Sequence, residues 1–242
     1  MTVLQKLKQG YARLLDVPVE CFEKPDFILV ETTIRESAEW ANWVMPVWLL
    51  SIESSIVCSV SPKYARLVQT LFGSMVIETL INPELWEKAH CLIDAEGWRQ
   101  REIFFYPNSQ PPPLTTPYQV EKLKLGDKVA EPFLRAFDGG VYAIRDQAGQ
   151  IASHAGIKNK GLINEIAVGT EPEYQKKGMG KAVVTHAVTG ILARGTVPAL
   201  IPDTVTNVAS YALAHSFGFQ KVGEMLFWEY ELLKWKGFPL NG

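Results

Sequence analysis

The sequence predicts an α/β (α+β) chain in two parts, a conclusion that rests on three observations. Residues 106–117, YPNSQPPPLTTP, form a proline-rich break that neither a helix nor a central strand can cross, because proline fixes φ and removes a backbone donor. Beyond it, strand-like and helix-like runs follow in the order β–α–β–β–β–α–β–α–β–β. Within that order, LINEIAVGTEPEYQKKGMG (162–180) passes from an apolar strand through a proline turn into a glycine-spaced basic segment and then a helix. The expected domains are 1–113, an α+β domain of unassigned role, and 114–242.

The opening helix, 2–15, is marked by Leu4, Leu7, Tyr11, Leu14 and Leu15 at helical spacing. A strand is expected near Phe27–Thr33, followed by a stretch containing Trp40, Trp43 and Trp48. These tryptophans would either fill a core or line a pocket for an apolar or cationic molecule, and Pro46 interrupts any helical stripe across them. SSIVCSV (54–60) reads as a strand and 62–73 as a helix, with Pro62 in its first turn and Gly73 at its end. Ile103–Tyr106 reads as another strand. After the break, 118–124 is expected to be a strand and 127–137 a helix that Pro132 shortens or kinks. VYAIRD, the QAGQ turn and IASHAGI predict a hairpin. Met179, Val183, Ala187 and Ile191 recur four apart and give the next helix one apolar face. VPALIPDT (197–204) reads as a strand. Asn207 would cap the following helix and Gly218 would end it. FQKVGEMLFWEYELLKW (219–235) reads as two final strands.

Composition narrows the function classes. The chain has 242 residues, 47% of them apolar, and a net charge of −2 from 24 basic and 26 acidic side chains. That balance offers no global attraction to nucleic acid or a membrane surface, so neither is expected as a partner. Cys21, Cys58 and Cys91 are odd in number and widely spaced, which suits reduced thiols in a cytoplasmic protein. No metal-ligand spacing appears, and no metal is expected. Lys6, Lys8 and Arg13 break the opening stretch as a signal peptide.

The chemistry concentrates at 162–181. Gln175, Gly178 and Gly180 spell Q-x-x-G-x-G, and Lys181 starts an alanine- and valine-rich helix. A helix N-terminus supplies unpaired N–H groups and partial positive charge, both suited to phosphate. Glycines let the backbone approach the anion closely. A Walker A loop is excluded: Gln175 stands where its first glycine belongs, and Ala182 where the magnesium-binding hydroxyl belongs. A dinucleotide fingerprint is excluded because Val183 replaces its third glycine.

This region resembles the acyl-CoA loop of the GNAT superfamily of N-acetyltransferases, [QR]-x-x-G-x-[GA], with Pro172-Glu173-Tyr174 as the turn before it. A second family signature follows in order: the strand at 197–204, Asn207 at a helix start, and Gly218-Phe219 at its end. The resemblance covers roughly 118–235. It implies a GNAT-like mixed, mostly antiparallel sheet flanked by helices, with acetyl-CoA as acyl-donor cosubstrate. Transferred by position, it implies that Gln175, Lys176, Lys177, Gly178, Met179, Gly180, Lys181 and Asn207 meet the donor. It also implies that the N–H groups of Val168 and Thr170 hold the pantetheine arm and polarise the thioester carbonyl.

An attacking amine must be neutral, whereas a free alkylamine has a pKa of about 10, so a base is expected. Family members often carry a glutamate on this strand. Glu165 is the corresponding residue, its pKa raised if buried. The other roles open to it are orienting substrate or facing solvent. His154, on the neighbouring strand, is the second option, with a core or edge position as its ordinary alternative; His186 and His215 read as packing or surface residues. For the proton on the departing thiolate, many family members use a tyrosine seven residues after the asparagine, which here is Ala214. Ser210 and Tyr211 are the remaining candidates, and the thiolate leaving unprotonated is the third option.

The expected function is transfer of an acetyl group from acetyl-CoA to a primary amine, on a small molecule or a peptide, by direct attack in a ternary complex. The alternative is a non-catalytic acyl-CoA sensor or regulator. Residues 1–113 would cover substrate, form a degenerate second GNAT-like half, or mediate a homodimer.

Overall fold

A computed structural model describes residues 1–40, 43–73, 84, 97–111, 113, 115–202 and 208–231. The chain divides into two compact units, one made of residues 11–102 and 222–242, the other of 1–10 and 103–221. Helix α1 (Val3–Leu15) is one of the elements in which the division falls.

In the first unit, β1 (Phe27–Glu31) pairs in parallel with β4 (Ser55–Val60) from Phe27↔Ile56 to Glu31↔Val60. Short β2 (Ala38–Trp40) and long β3 (Trp43–Ile52) lie between them in sequence, and β3 and β4 form an antiparallel hairpin. Helix α2 (Pro62–Phe72) follows β4 at once. Ser61 caps it, accepting a hydrogen bond from the Lys63 N–H and donating one to Glu36 Oε1 at 2.7 Å. Tyr64, Ala65, Val68 and Phe72 form its buried face, packed with Val47, Leu49, Ile56, Cys58 and Val60. Burial pushes the Cys58 thiol up to about 12, so it stays protonated. Trp48 is a core side chain, with the Arg35 guanidinium 5.0 Å from its ring centre. Cys91 and the side chains of Trp40 and Trp43 lie outside the described residues.

In the second unit, the strand order is β5–β10–β9–β8–β7–β6. These are β5 (Gly97–Phe105, contributing from 103), β6 (Glu121–Lys122), β7 (Val141–Arg145), β8 (Ile151–Lys160), β9 (Ile163–Thr170) and β10 (Val197–Leu200). Within it β9 and β10 run parallel, and the other pairs are antiparallel. The sheet is therefore mixed and mostly antiparallel, as expected. Helix α3 (Glu131–Ala136) is the shortened form of the helix expected over 127–137: Pro132 sits in its first turn and starts it rather than kinking it. The strand expected over 118–124 reduces to the two residues of β6.

Helix α4 (Met179–Leu192) buries Met179, Val183, Ala187 and Ile191, the stripe read from sequence, together with Ala182, Val184 and Val188. This face packs on Ile144, Ala155, Ile157 and Ile166, and α5 (Val208–Phe217) joins the same core through Ala214 and Phe217. Phe133 and Phe137 cover the opposite face over Val141, Ala143 and Ile151. Helices thus flank this sheet on both sides. The described part of the C-terminal tail corrects the expectation of two strands over 219–235, of which 232–235 lie outside the described residues. Residues Gln220–Glu231 form a single strand, β11, paired with β3 from Gly223↔Ile52 to Glu231↔Trp43. A bulge between Trp228 and Tyr230 interrupts its register without ending the strand.

Candidate active site

Strand β9 is paired along one edge and only partly along the other. β8 accompanies it from Ile163 to Thr170, whereas β10 pairs with Ile163, Asn164 and Glu165 alone. The Val197 N–H donates to the Leu162 carbonyl at 2.9 Å, and the Glu171 N–H donates to the Ala152 carbonyl at 2.9 Å. Even-numbered residues of β9 therefore direct their backbone groups toward β10 and odd-numbered ones toward β8. Val168 and Thr170 are even, so their N–H groups face the edge that β10 does not pair.

The same strand delivers the chain to the N-terminus of α4. Gly178 is its cap residue, left-handed at φ 84, and no side chain caps the helix. The first turn, Met179, Gly180 and Lys181, therefore presents N–H groups uncapped by any side chain. Lys176 is also left-handed, at φ 59. This turn-rich backbone creates the kind of concave amide cluster that binds anions. A Cβ on Gly180 would lie 3.5 Å from Thr170 Oγ1 and 3.9 Å from Val168 Cγ2, so the helix start and the open edge adjoin. The Met179 side chain is buried in the core; only its backbone faces the cradle.

Gln175 has a role that its motif position does not reveal: its Nε2 donates to the Thr170 carbonyl at 3.2 Å, tying loop to strand. Tyr118 and Asp146, which the sequence reading did not single out, help hold the loop. The Tyr118 hydroxyl donates to the Lys177 carbonyl at 2.9 Å, the Tyr174 hydroxyl donates to Asp146 Oδ2 at 3.3 Å, and Lys177 Nζ lies 5.3 Å from the Tyr174 ring centre. Tyr118, Asp146, Tyr174 and Met179 help line a cavity of about 570 Å³ beside the loop. No motif links residues this far apart, so only the fold reveals them.

The other face of β9 carries Glu165. It is buried at 9% exposure, which removes the solvent-facing role, and its Oε2 lies 3.0 Å from Lys160 Nζ. His154, directly opposite Gly169 on β8, shares that face, under Phe133 and Phe137. Burial lowers its pKa and favours the neutral imidazole.

Ser210 and Tyr211 are carried by α5, on the α4 side, and so across the sheet from Glu165. Ser210 is half-buried. Tyr211 is 39% exposed, its ring 5.4 Å from Phe104 and 4.7 Å from His215. His186 and His215 are exposed, as the sequence suggested. Asn207 lies outside the described residues. The fold thus gathers Val168, Thr170 and the 175–181 loop into one region, and it separates the two sets of proton-transfer candidates by the thickness of a sheet.

Residues 133–227 match the family model for GNAT acetyltransferase. This part of the chain is a GNAT acetyltransferase domain. It spans α3 through most of β11 and includes the loop, the open edge and both candidate faces. Solved structures similar to the chain include a GCN5-related N-acetyltransferase from Kribbella flavida, at 14% identity, covering 94% of this chain and 96% of that one with a TM-score of 0.49. Another, from Sphaerobacter thermophilus, has 11% identity, coverage of 73% and 72%, and a TM-score of 0.49. A GNAT-family acetyltransferase from Colwellia psychrerythraea has 14% identity, coverage of 72% and 76%, and a TM-score of 0.46. A search of curated proteins gave no match.

Proposed function

We propose that this GNAT domain moves an acetyl group from acetyl-CoA to a primary amine by direct attack within a ternary complex. One observation carries the reading: the edge of β9 left unpaired beyond Glu165 runs into a glycine-capped helix start. A diphosphate at the 176–181 amides places the attached pantetheine arm along Val168 and Thr170, where it takes the hydrogen bonds a neighbouring strand would otherwise make. Lys176, Lys177 and Lys181 add positive charge around it. The cavity beside Tyr118 and Tyr174 leaves room for the nucleotide end of the donor.

In this arrangement the N–H groups at the open edge polarise the thioester carbonyl. Fixed donors of this kind stabilise the negative charge that grows on the oxygen as nitrogen attacks. The donor lies on the α4 side, so the amine approaches from the opposite face, where Glu165 is. A buried carboxylate there attracts an ammonium and orients it, and in the free protein Lys160 occupies that position. In this reading Ser210 or Tyr211, carried by α5 on the donor side, shares a hydroxyl proton with the departing sulfur.

The test is acetyl-CoA binding by isothermal titration calorimetry to wild-type protein and to Gly178→Glu, which puts a carboxylate into the cradle. Binding by the wild type and none by a folded Gly178→Glu variant is expected. Equal affinities would overturn the reading.

A further inference from the structure

The residue nearest the open-edge amides on the acceptor side is not the glutamate of the family motif. Alternation along β9 directs the Val168 and Thr170 side chains toward α4 and leaves position 169 facing the other way. That position is glycine, and the space a side chain would take is filled by an imidazole: a Cβ on Gly169 would lie 2.4 Å from His154 Cε1. His154 therefore lies against the strand backbone, between the two residues whose amides face the donor. Glu165 is four residues back along β9, about 13 Å at strand rise. It is also held by Lys160.

The surroundings of His154 suit a proton acceptor. Phe133 packs edge-on at 4.6 Å between ring centres, and Phe137 lies at 6.2 Å. Among the described residues neither ring nitrogen has a hydrogen-bond partner. The charged side chains on the adjoining elements are Glu131 and Arg135 on α3, Arg145 on β7, Lys158 and Lys160 on β8, and Glu165 on β9. Glu131 pairs with Arg135, Glu165 with Lys160, and Arg145 with Glu121 and Asp127.

We propose that His154 takes the proton of the attacking amine, acting as general base beside the Val168 and Thr170 amides. The proposal rests on the acetyltransferase reading above. In the step, the N–C bond forms and the C–S bond breaks. The amine proton passes to an imidazole nitrogen, and the C–S electron pair leaves with sulfur as the thiolate. Glu165 keeps the orienting role.

Two measurements test this. Diethyl pyrocarbonate, which acylates neutral imidazole, should modify His154 in the free protein, and modification at that site should abolish enzyme-dependent thiol release while leaving acetyl-CoA affinity within about twofold. Thiol release unchanged after modification of His154 would overturn the proposal. The second measurement follows thiol release from acetyl-CoA, with water and with a panel of primary amines, alongside calorimetric binding. His154→Gln should bind acetyl-CoA within about twofold of wild type, yet lose on the order of a hundredfold in enzyme-dependent thiol release. It should also lose the wild-type rise in rate as pH increases through the imidazole range. Added imidazole should partly restore a His154→Ala variant. Binding with rates and pH profile unchanged in His154→Gln sinks this proposal alone; no acetyl-CoA binding by the wild type sinks the acetyltransferase reading.

Discussion

Among the described residues, two hairpins each lead into a helix packed against them, and they differ where a ligand site would have to be. In the first, β3–β4–α2, Ser61 is the only residue between strand and helix, and its hydroxyl occupies the helix N-terminus. The parallel partner β1 covers β4 through Val60. In the second, β8–β9–α4, residues 171–178 intervene, Gly178 offers no cap, and the parallel partner β10 stops at Glu165. Both arrangements satisfy the packing needs of a helix on a sheet. Only the second leaves donors uncommitted at a helix start and along a strand edge. The candidate site is a set of hydrogen bonds that the fold declines to make for itself, and the closed hairpin shows what completing them looks like.

The sharpest way to break this contrast is Gly178→Glu, which should weaken CoA binding at least a hundredfold, measured by calorimetry on folded protein. A side chain at φ 84 adds backbone strain to the charge repulsion. Counting sites sharpens it from the other side: acetyl-CoA should saturate at one molecule per chain, and a second equivalent of similar affinity would show that the closed hairpin binds too. Glu165→Gln should then lower turnover roughly tenfold while leaving CoA affinity within twofold, since it lies on the face we assign to the acceptor. Ser61→Ala should do the converse. Losing the cap costs about 1 kcal/mol of stability in denaturant unfolding, with CoA affinity unchanged.

The smallest effect is a pH dependence. The pKa of His154 is lowered in the folded protein below its ordinary 6.5, so the unfolded chain binds the proton more readily. Stability is therefore full above about pH 6.5 and declines as pH falls toward the folded value. His154→Gln should remove that increment of the decline, read from urea midpoints between pH 7 and 5.

Much of the second unit was legible because its signals are local. The apolar stripe of α4, the QAGQ hairpin and the glycines at 178 and 180 each depend on residues a few positions apart. What escaped depends on distant partners. Lys160 beside Glu165, Tyr118 on the Lys177 carbonyl and His154 against Gly169 are set by register, which sequence periodicity does not fix. Pro132 left two outcomes open because proline both opens and interrupts helices, and the flanking residues did not distinguish the two uses. The tail misled because a bulged strand and two short strands share one alternation pattern.

The half-paired edge of β9 has a consequence for how the molecule should look to deuterium. Amides locked in the β8 ladder exchange with solvent only when the sheet opens, whereas those of Val168 and Thr170 can exchange without any unfolding. In the free protein their labelling should be complete long before that of Ala167 and Gly169 beside them. A bound donor should bring all four onto one slow timescale.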